Sequence, residues 1–405
     1  MLVNASRYAV HPQLISRLKK DIPTSPHSRI LLLSFLSNGD QILNTRDTPK
    51  MPPRALSHKD YTVGWICALS KELTAASTML DEEDEDLPNP SNDHNAYILG
   101  RIGKHNVAIA CLPEGEIGTN AAATVATRMT STFPSIRFGL MVGIGGGVPP
   151  KVRLGDVVVS TPSGGFGGVV QWDFGRTEQG DNFKRTGALN LPPAALRTAL
   201  GKLKTNHEKR GSSIPQYLED LKTKWPRLAA KYTMSRFLED VLFKADYHHI
   251  KEKEMGGRSM SDDWEEAGDE TDKEDEDEEN EGEKEKDCPL CDRTKAVKRR
   301  PREMRVHYGL IASGNQVVVD AAFRDKVNKA LGGGVLCFEM EAAGLMNDFP
   351  CLVIRGICDY ADSHKNKAWQ EHAAAVAAAF AKEFLSVVQA TEVDQLPTIG
   401  SKSVS

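Results

Sequence analysis

Long apolar runs are what this chain most lacks. The longest candidate among its 405 residues, Ile30 to Leu36, is strand-sized, whereas a bilayer-crossing helix needs about 20 consecutive apolar residues. Cysteine is sparse as well. The seven thiols lie mostly inside apolar runs, which suits a reducing compartment, cytoplasmic or nuclear, where they act as small core residues. Two nucleotide-binding signatures are also missing. The run Gly143-Ile144-Gly145-Gly146-Gly147 has Val148 where a dinucleotide fingerprint needs its third glycine, and Pro149 and Pro150 follow instead of a helix. No Gly-Lys-Ser/Thr closes the run, so it is not a P-loop either. It is read as a loop for close ligand approach or as a tight structural turn.

Outside one segment, negative charge is in short supply. Residues 262–287 hold 17 acids and 3 lysines, a local charge of −14, while the whole chain carries −5; the remainder is therefore at +9. That balance mildly favours an anionic ligand. The acidic run has almost no apolar residues and is expected to be a disordered insertion, with basic proteins as its natural class of partner. It ends at Cys288-Pro-Leu-Cys291. Cys-x-x-Cys spacing is half a zinc site, with His248 and His249 as candidates for the missing ligands. Without a second fixed-spacing pair, two thiols in a loop is the preferred reading, and no metal or cofactor is called for.

What is present is an α/β pattern, and 40% hydrophobic residues suffice for a full core. The first 58 residues lack periodicity. Their first twenty carry Arg7, Arg17, Lys19 and Lys20 and no acid, faintly like a transit peptide, but a disordered leader is the preferred reading. Tyr61 to Leu69 reads as a strand and Lys71 to Leu80 as a helix. Asn95 to Leu112 reads as two strands turning at Gly103-Lys104, Thr119 to Thr132 as an Ala/Thr-rich helix, Arg137 to Val142 and Leu154 to Ser160 as strands, and Pro192 to Leu203 as a helix. Helical stretches broken by Pro226 lie between Tyr217 and His249. After the acidic run, His307 to Val319 resumes the strand pattern and Ala321 to Leu331 is a helix. Gln370 to Val388 is an Ala-rich helix with Val376, Phe380, Phe384 and Val388 on one core-facing stripe. The chain divides accordingly into a disordered leader (1–58), a first domain part (59–204), an insertion (205–302), a second domain part (303–390) and a disordered tail (391–405).

The chemistry is concentrated in Val335 to Asp362. Val335 to Phe338 reads as a strand, Ala342 to Met346 as a helix stopped by Asn347-Asp348 and Pro350, and Cys351 to Cys358 as a strand buried on both faces. Glu339 and Glu341 stand at the first strand end, Asp359 and Asp362 just past the second. Ligands of open α/β sheets bind at such carboxyl ends. Glu72, in the first turn of its helix, has two readings: a charge favouring the helix N-terminus, or a functional acid.

Five motifs in order are similar to those of the purine and uridine phosphorylase family, which includes the methylthioadenosine/S-adenosylhomocysteine nucleosidases and fungal proteins with a nucleoside phosphorylase domain. They are Ile66-Cys-Ala-Leu-Ser-Lys-Glu72, the Gly143–Gly147 run followed by Leu154-Gly-Asp-Val157, Ile311-Ala-Ser-Gly314, Phe338-Glu-Met-Glu-Ala-Ala343 and Arg355-Gly-Ile-Cys-Asp-Tyr-Ala-Asp362. The resemblance implies a three-layer phosphorylase/hydrolase-like α/β fold, with a central twisted mixed β-sheet flanked by helices and interrupted by the acidic insertion. It implies that Glu341 binds the ribose hydroxyls with Met340 and Phe338 beside the sugar. Asp359 would support protonation of a purine at N7, and Glu72 would activate a water. Gly118, Gly143, Gly145 and Gly146 would bring backbone close to sugar and nucleophile, and a homo-oligomer is expected. The leaving-base acid needs a raised pKa, which burial of Asp359 beside Val353, Ile357 and Tyr360 would favour.

Two departures bear on the reaction. Where family phosphorylases place an Arg and a Ser or Thr around their phosphate, this chain has Met141 and Ile144, which favours water as nucleophile. The aromatic that stacks on the base in bacterial nucleosidases corresponds to Val317. The reading is a purine nucleosidase hydrolysing the N-glycosidic bond of an adenine nucleoside or nucleotide. Its alternatives are a phosphorylase that recruits phosphate through other basic residues, and a degenerate ligand-sensing module.

Overall fold

The computed structural model describes residues 56–179, 182–250, 288 and 290–400. The leader before residue 56 and the acidic run at 262–287 lie outside the described residues. The strands are β1 (Val63–Cys67), β2 (Glu82–Glu83), β3 (Tyr97–Ile102), β4 (His105–Cys111), β5 (Phe138–Gly147), β6 (Val157–Ser160), β7 (Val169–Gln171), β8 (Gly175–Glu178), β9 (Asn182–Arg185), β10 (Val306–Ser313), β11 (Val335–Glu339) and β12 (Cys351–Asp359). The helices are α1 (Ser70–Thr78), α2 (Thr119–Thr132), α3 (Ala194–Arg210), α4 (Ile214–Lys224), α5 (Pro226–Tyr232), α6 (Ala321–Ala330), α7 (Gln370–Val387) and α8 (Ala390–Val393).

Ten strands form one mixed sheet in the order β11-β10-β6-β12-β5-β1-β4-β3-β2, with β7 added on β10 and β8–β9 as a separate hairpin. The sheet also closes on itself. The far end of β5 pairs with β11, Cys337 opposite Gly147 and Phe338 opposite Gly146, while its body lies parallel to β1 and β12. Helices cover both faces, so β1, β5 and β12 are buried along nearly their whole length, as the mostly apolar run of β12 requires. On β1, Val63, Trp65 and Cys67 join the core under α1, α3, α4 and α7, while Ile66 joins the opposite core under α2. That is the two-residue period of a strand. In α7 burial exceeds the expected stripe: Val376, Phe380, Phe384 and Val388 are buried, and so is every residue from Ala373 to Ala381. α7 is the central helix of its layer. No helix of the described residues is long and apolar enough to cross a membrane.

The structure corrects several sequence readings. Gly143 to Gly147 is not a loop but the last half of β5; the glycines leave room for neighbouring strands and side chains on both sides, so the ladder continues through them. Ala342 to Met346 is not an α-helix but a 3₁₀ turn over Ala342–Gly344. Too few residues precede the Asn347–Pro350 stop for a stable helix, and Gly344 lies directly against the Thr119 backbone. The boundary at 204 falls inside α3, which runs on to Arg210. Beyond it α4 and α5 belong to the domain, burying Ile214, Leu221 and Tyr232 in the core. Glu383 of α7 holds the start of α4 by accepting from the Ser213 N–H at 2.6 Å and the Ser212 hydroxyl at 2.7 Å. The tail is not frayed immediately after Ala390: α8 follows, Val393 and Ile399 are buried, and the Ile399 N–H donates to the Ile136 carbonyl.

Candidate active site

The carboxyl ends of β1, β5, β11 and β12 converge on a cleft of about 140 Å³. Of the residues predicted from sequence, Glu72, Gly145, Gly146, Val317, Phe338, Met340, Glu341 and Asp359 line it. Gly118 and Gly143 stand directly behind the lining. Val317 is half-exposed, at the rim. Met141, read as a place where phosphate would be clamped, is fully buried in the core under α2. Its apolar character therefore says nothing about the nucleophile. Ile144 does line the cleft.

Glu72 arrives from the first turn of α1 and is buried. Its Oε2 accepts from the Ala68 and Leu69 N–H groups at 2.7 and 3.1 Å, and its Oε1 from the Ile144 N–H at 2.7 Å. A carboxylate offers about four lone-pair positions, so one remains for a ligand or water. Burial raises the pKa of Glu72, against the opposing effects of Arg355 and the three N–H donors. It is more than a helix-end charge. The glycine at 143 is required by this packing: a Cβ there would collide with Glu72 Oε1 and the Arg355 guanidinium.

Arg355 is the centre of the site, and sequence reasoning gave it no role. It lies in mid-β12, fully buried among apolar neighbours. One nitrogen donates to Oε2 of both Glu339 and Glu341, the latter at 3.1 Å, and another donates to the Ile144 carbonyl at 3.3 Å. The signal was legible: a lone charged residue inside a buried apolar strand must have counter-charges, and Glu339 and Glu341 were the acids on offer. Glu339 Oε2 also accepts the Glu341 and Ala342 N–H groups at 3.1 and 3.0 Å, which bends the chain out of β11 and aims Glu341 into the cleft. Glu341 Oε1 accepts from the Gly118 N–H at 3.3 Å. Gly118 adopts φ +93°, and a Cβ there would lie 2.7 Å from Asn315 Oδ1, so only glycine suits the position. Burial, with Glu339 and Glu72 nearby and Arg355 opposing, raises the pKa of Glu341.

Two carboxylates thus share one guanidinium, with Glu72 within its electrostatic reach. Replacing Arg355 by Met would keep the volume but leave Glu339 and Glu341 buried without a counter-charge. Breaking such a pair from one side costs roughly 3–5 kcal/mol, and chemical denaturation should register about that loss. A loss under about 1 kcal/mol would mean that the carboxyls simply take up protons and that Arg355 does not hold the cleft together.

Asp359 ends β12. Its Oδ1 accepts from the Ala361 N–H at 2.8 Å, and a Cβ on Gly146 would lie 2.7 Å away. Beside the expected neighbours Val353, Ile357 and Tyr360 stands a charged one, because Lys365 Nζ lies 3.2 Å from Asp359 Oδ2. Asp359 is one half of an ion pair. Lys365 was not foreseen, since nothing local marks a lysine six residues on in a loop as a partner. Burial would lower the Lys365 pKa, but Asp359 outweighs it and raises it. Asp359 also borders a second, larger cavity of about 930 Å³, walled by residues 233–239 and by the loop that carries Asp362 and His364.

Several known proteins are similar to this chain. A model of the phosphorylase superfamily matches residues 62–219. A nucleotide-binding leucine-rich repeat (NLR)-like protein of Hyaloscypha variabilis is 42% identical over 352 residues, covering 85% of this chain and 31% of that one. A 5′-methylthioadenosine/S-adenosylhomocysteine nucleosidase of Mycobacterium bovis is 30% identical over 122 residues, covering 28% of this chain and 39% of the relative. The chain thus spans roughly a third of the length of the curated relatives it matches. Among solved structures, futalosine hydrolase of Helicobacter pylori superposes with a TM-score of 0.48 at 15% identity, covering 82% of this chain and 99% of the other.

Proposed function

We propose that this chain, whose residues 62–219 match the phosphorylase superfamily, hydrolyses the N-glycosidic bond of a purine nucleoside or nucleotide. The observation that supports water rather than phosphate as nucleophile is the charge balance around Arg355. Its two terminal nitrogens are bonded to Glu339, Glu341 and the Ile144 carbonyl, so its single positive charge is already met by two carboxylates. Glu72, Glu339 and Glu341 outnumber it, and this excess negative charge would repel an anionic nucleophile. The same excess suits the cationic, oxocarbenium-like sugar formed as the glycosidic bond breaks.

In this reading Glu341 holds the ribose hydroxyls, with Met340 and Phe338 against the sugar. The bond from the anomeric carbon to the base breaks, and its electron pair goes to the base. The Asp359–Lys365 pair supplies the proton that neutralises the base at N7. Water attacks the opposite face of the sugar, its oxygen bonding to the anomeric carbon and its proton passing to the open lone pair of Glu72. Proton return through solvent resets both groups. An adenine base is favoured by the mycobacterial relative, whose named substrates are adenine nucleosides. The test is chromatographic detection of free base from adenosine, methylthioadenosine and adenine nucleotides, with and without phosphate. Base release independent of phosphate, with free sugar as co-product, is expected. Strict phosphate dependence, with a sugar phosphate formed, would replace hydrolysis by phosphorolysis.

A pH dependence follows from Glu72. Burial raises its pKa above the ordinary 4.5, and a base acts only when deprotonated. Activity should therefore be lost as pH falls through that raised value. The acid limb of kcat/KM, which reports the free enzyme, is expected above pH 4.5. A limb at or below that value would rule out a buried glutamate as the base.

A further inference from the structure

We propose that His249, Cys288 and Cys291 form a zinc site that ties together the two ends of the acidic excursion and fixes them against the loop carrying Asp359 and Lys365. The ligand atoms of these three residues lie within 4.8 Å of one another, and His249 Nδ1 is 3.3 Å from Cys291 Sγ. They come from opposite sides of residues 250–287. A Cys-x-x-Cys turn by itself has no reason to find an imidazole 39 positions earlier. Two soft sulfur donors with one imidazole are the donor set zinc selects over hard cations.

The surrounding structure is a scaffold for such a site. The Cys291 N–H donates to the Cys288 carbonyl at 3.2 Å, so the motif closes a tight turn and gathers both sulfurs. Behind it the two segments are stitched as a ribbon: the Val297 N–H donates to the Leu242 carbonyl at 2.7 Å, the Lys244 N–H to the Lys295 carbonyl at 3.2 Å, and the Asp292 N–H to the Tyr247 hydroxyl at 2.7 Å. The ribbon docks on the loop after β12. The His249 N–H donates to Ser363 Oγ at 3.0 Å, Phe243 stacks on His364 at 4.1 Å, and Arg299 donates to the Tyr360 hydroxyl at 2.7 Å.

His364 is the side chain offered for the fourth position of a tetrahedral ion. Its ring stands edge-on to His249 with centroids 5.6 Å apart, the residue is half-buried with its side chain 7% exposed, and its Nε2 has no hydrogen bond among the described residues. Binding would release the two thiol protons as the sulfurs become thiolates. It would also hold together residues 249 and 288, 39 positions apart in the chain, and so offset the loop-closure entropy in one step. The ion is a brace beside the cleft and takes no part in bond cleavage.

The experiment uses the full chain purified in a non-chelating reductant. Elemental mass spectrometry should find about one zinc per chain, and replacement by cobalt should give a thiolate-to-metal charge-transfer band. Cys288→Ser and Cys291→Ser should each lose the ion while keeping the circular dichroism of the parent, and a strong chelator should lower the parental melting temperature to that of the variants. His364→Ala should raise the fraction of ion removed at a given chelator concentration; no change would overturn its assignment as fourth ligand. Reduced parental protein that retains no zinc and gives no cobalt–thiolate band overturns the site, whether or not the serine variants fold. All these readouts are independent of base release, so they stand apart from the hydrolase reading.

Discussion

Glu72→Gln should lower hydrolysis by about 10²–10⁴-fold, the usual contribution of a positioned general base, with KM for the nucleoside close to that of the parent. The substitution keeps the volume and removes only the proton acceptor, while Glu341, Met340 and Phe338, which hold the sugar in the proposed mechanism, are untouched. It has a structural cost as well. Glu72 accepts three backbone N–H groups with two oxygens, and an amide has one oxygen. At least one buried donor then faces another donor, a loss of about 1–3 kcal/mol that should appear in the melting temperature. Assays therefore belong well below that temperature. Under phosphorolysis the nucleophile is already an anion and needs no base, so Glu72→Gln would be mild whenever phosphate is present. A variant that hydrolyses at the parental rate returns Glu72 to the role of a helix-end charge and removes the base from the mechanism.

Asp359→Asn should act on kcat by a comparable ~10²–10⁴-fold, again with little change in KM. A group that serves only as the bond breaks stabilises the transition state and not the bound substrate. The asparagine can still accept the Ala361 N–H, so the end of β12 should persist. What is lost is the charge that pairs with Lys365 at 3.2 Å and, with it, proton delivery to the base. The effect should shrink for substrates whose leaving group departs without a proton, such as p-nitrophenyl ribosides. An equal loss on both kinds of substrate would make Asp359 a structural anchor for Lys365 and Ala361 instead of a member of the proton-delivering pair.

Much of this molecule was legible before its structure. β12 announced itself as a buried strand because a strand covered on both faces is apolar along most of its length, and α7 because its apolar residues recur at helical spacing. The acids at 339, 341 and 359 stood at strand ends, where a sheet leaves side chains free to meet a ligand. Local patterning decides such things, since each depends on residues only a few positions apart. The glycine run was harder. Five residues with so little side chain look like a loop in one dimension, and only the pairing of Gly146 and Gly147 with β11 makes them a strand.

The sequence by itself placed the acids of the cleft at strand ends and marked the charged excursion, because both are carried by neighbouring residues. Only the tertiary structure decided what each charge does. Arg355 could be recognised as needing partners but not as sharing a nitrogen between Glu339 and Glu341. Lys365 could not be matched to Asp359, and His249 could only be guessed for Cys288 and Cys291, 39 and 42 positions away. Electrostatic and metal-binding roles depend on distances of a few ångströms between atoms that the chain brings together from far apart, and spacing along the chain does not encode them.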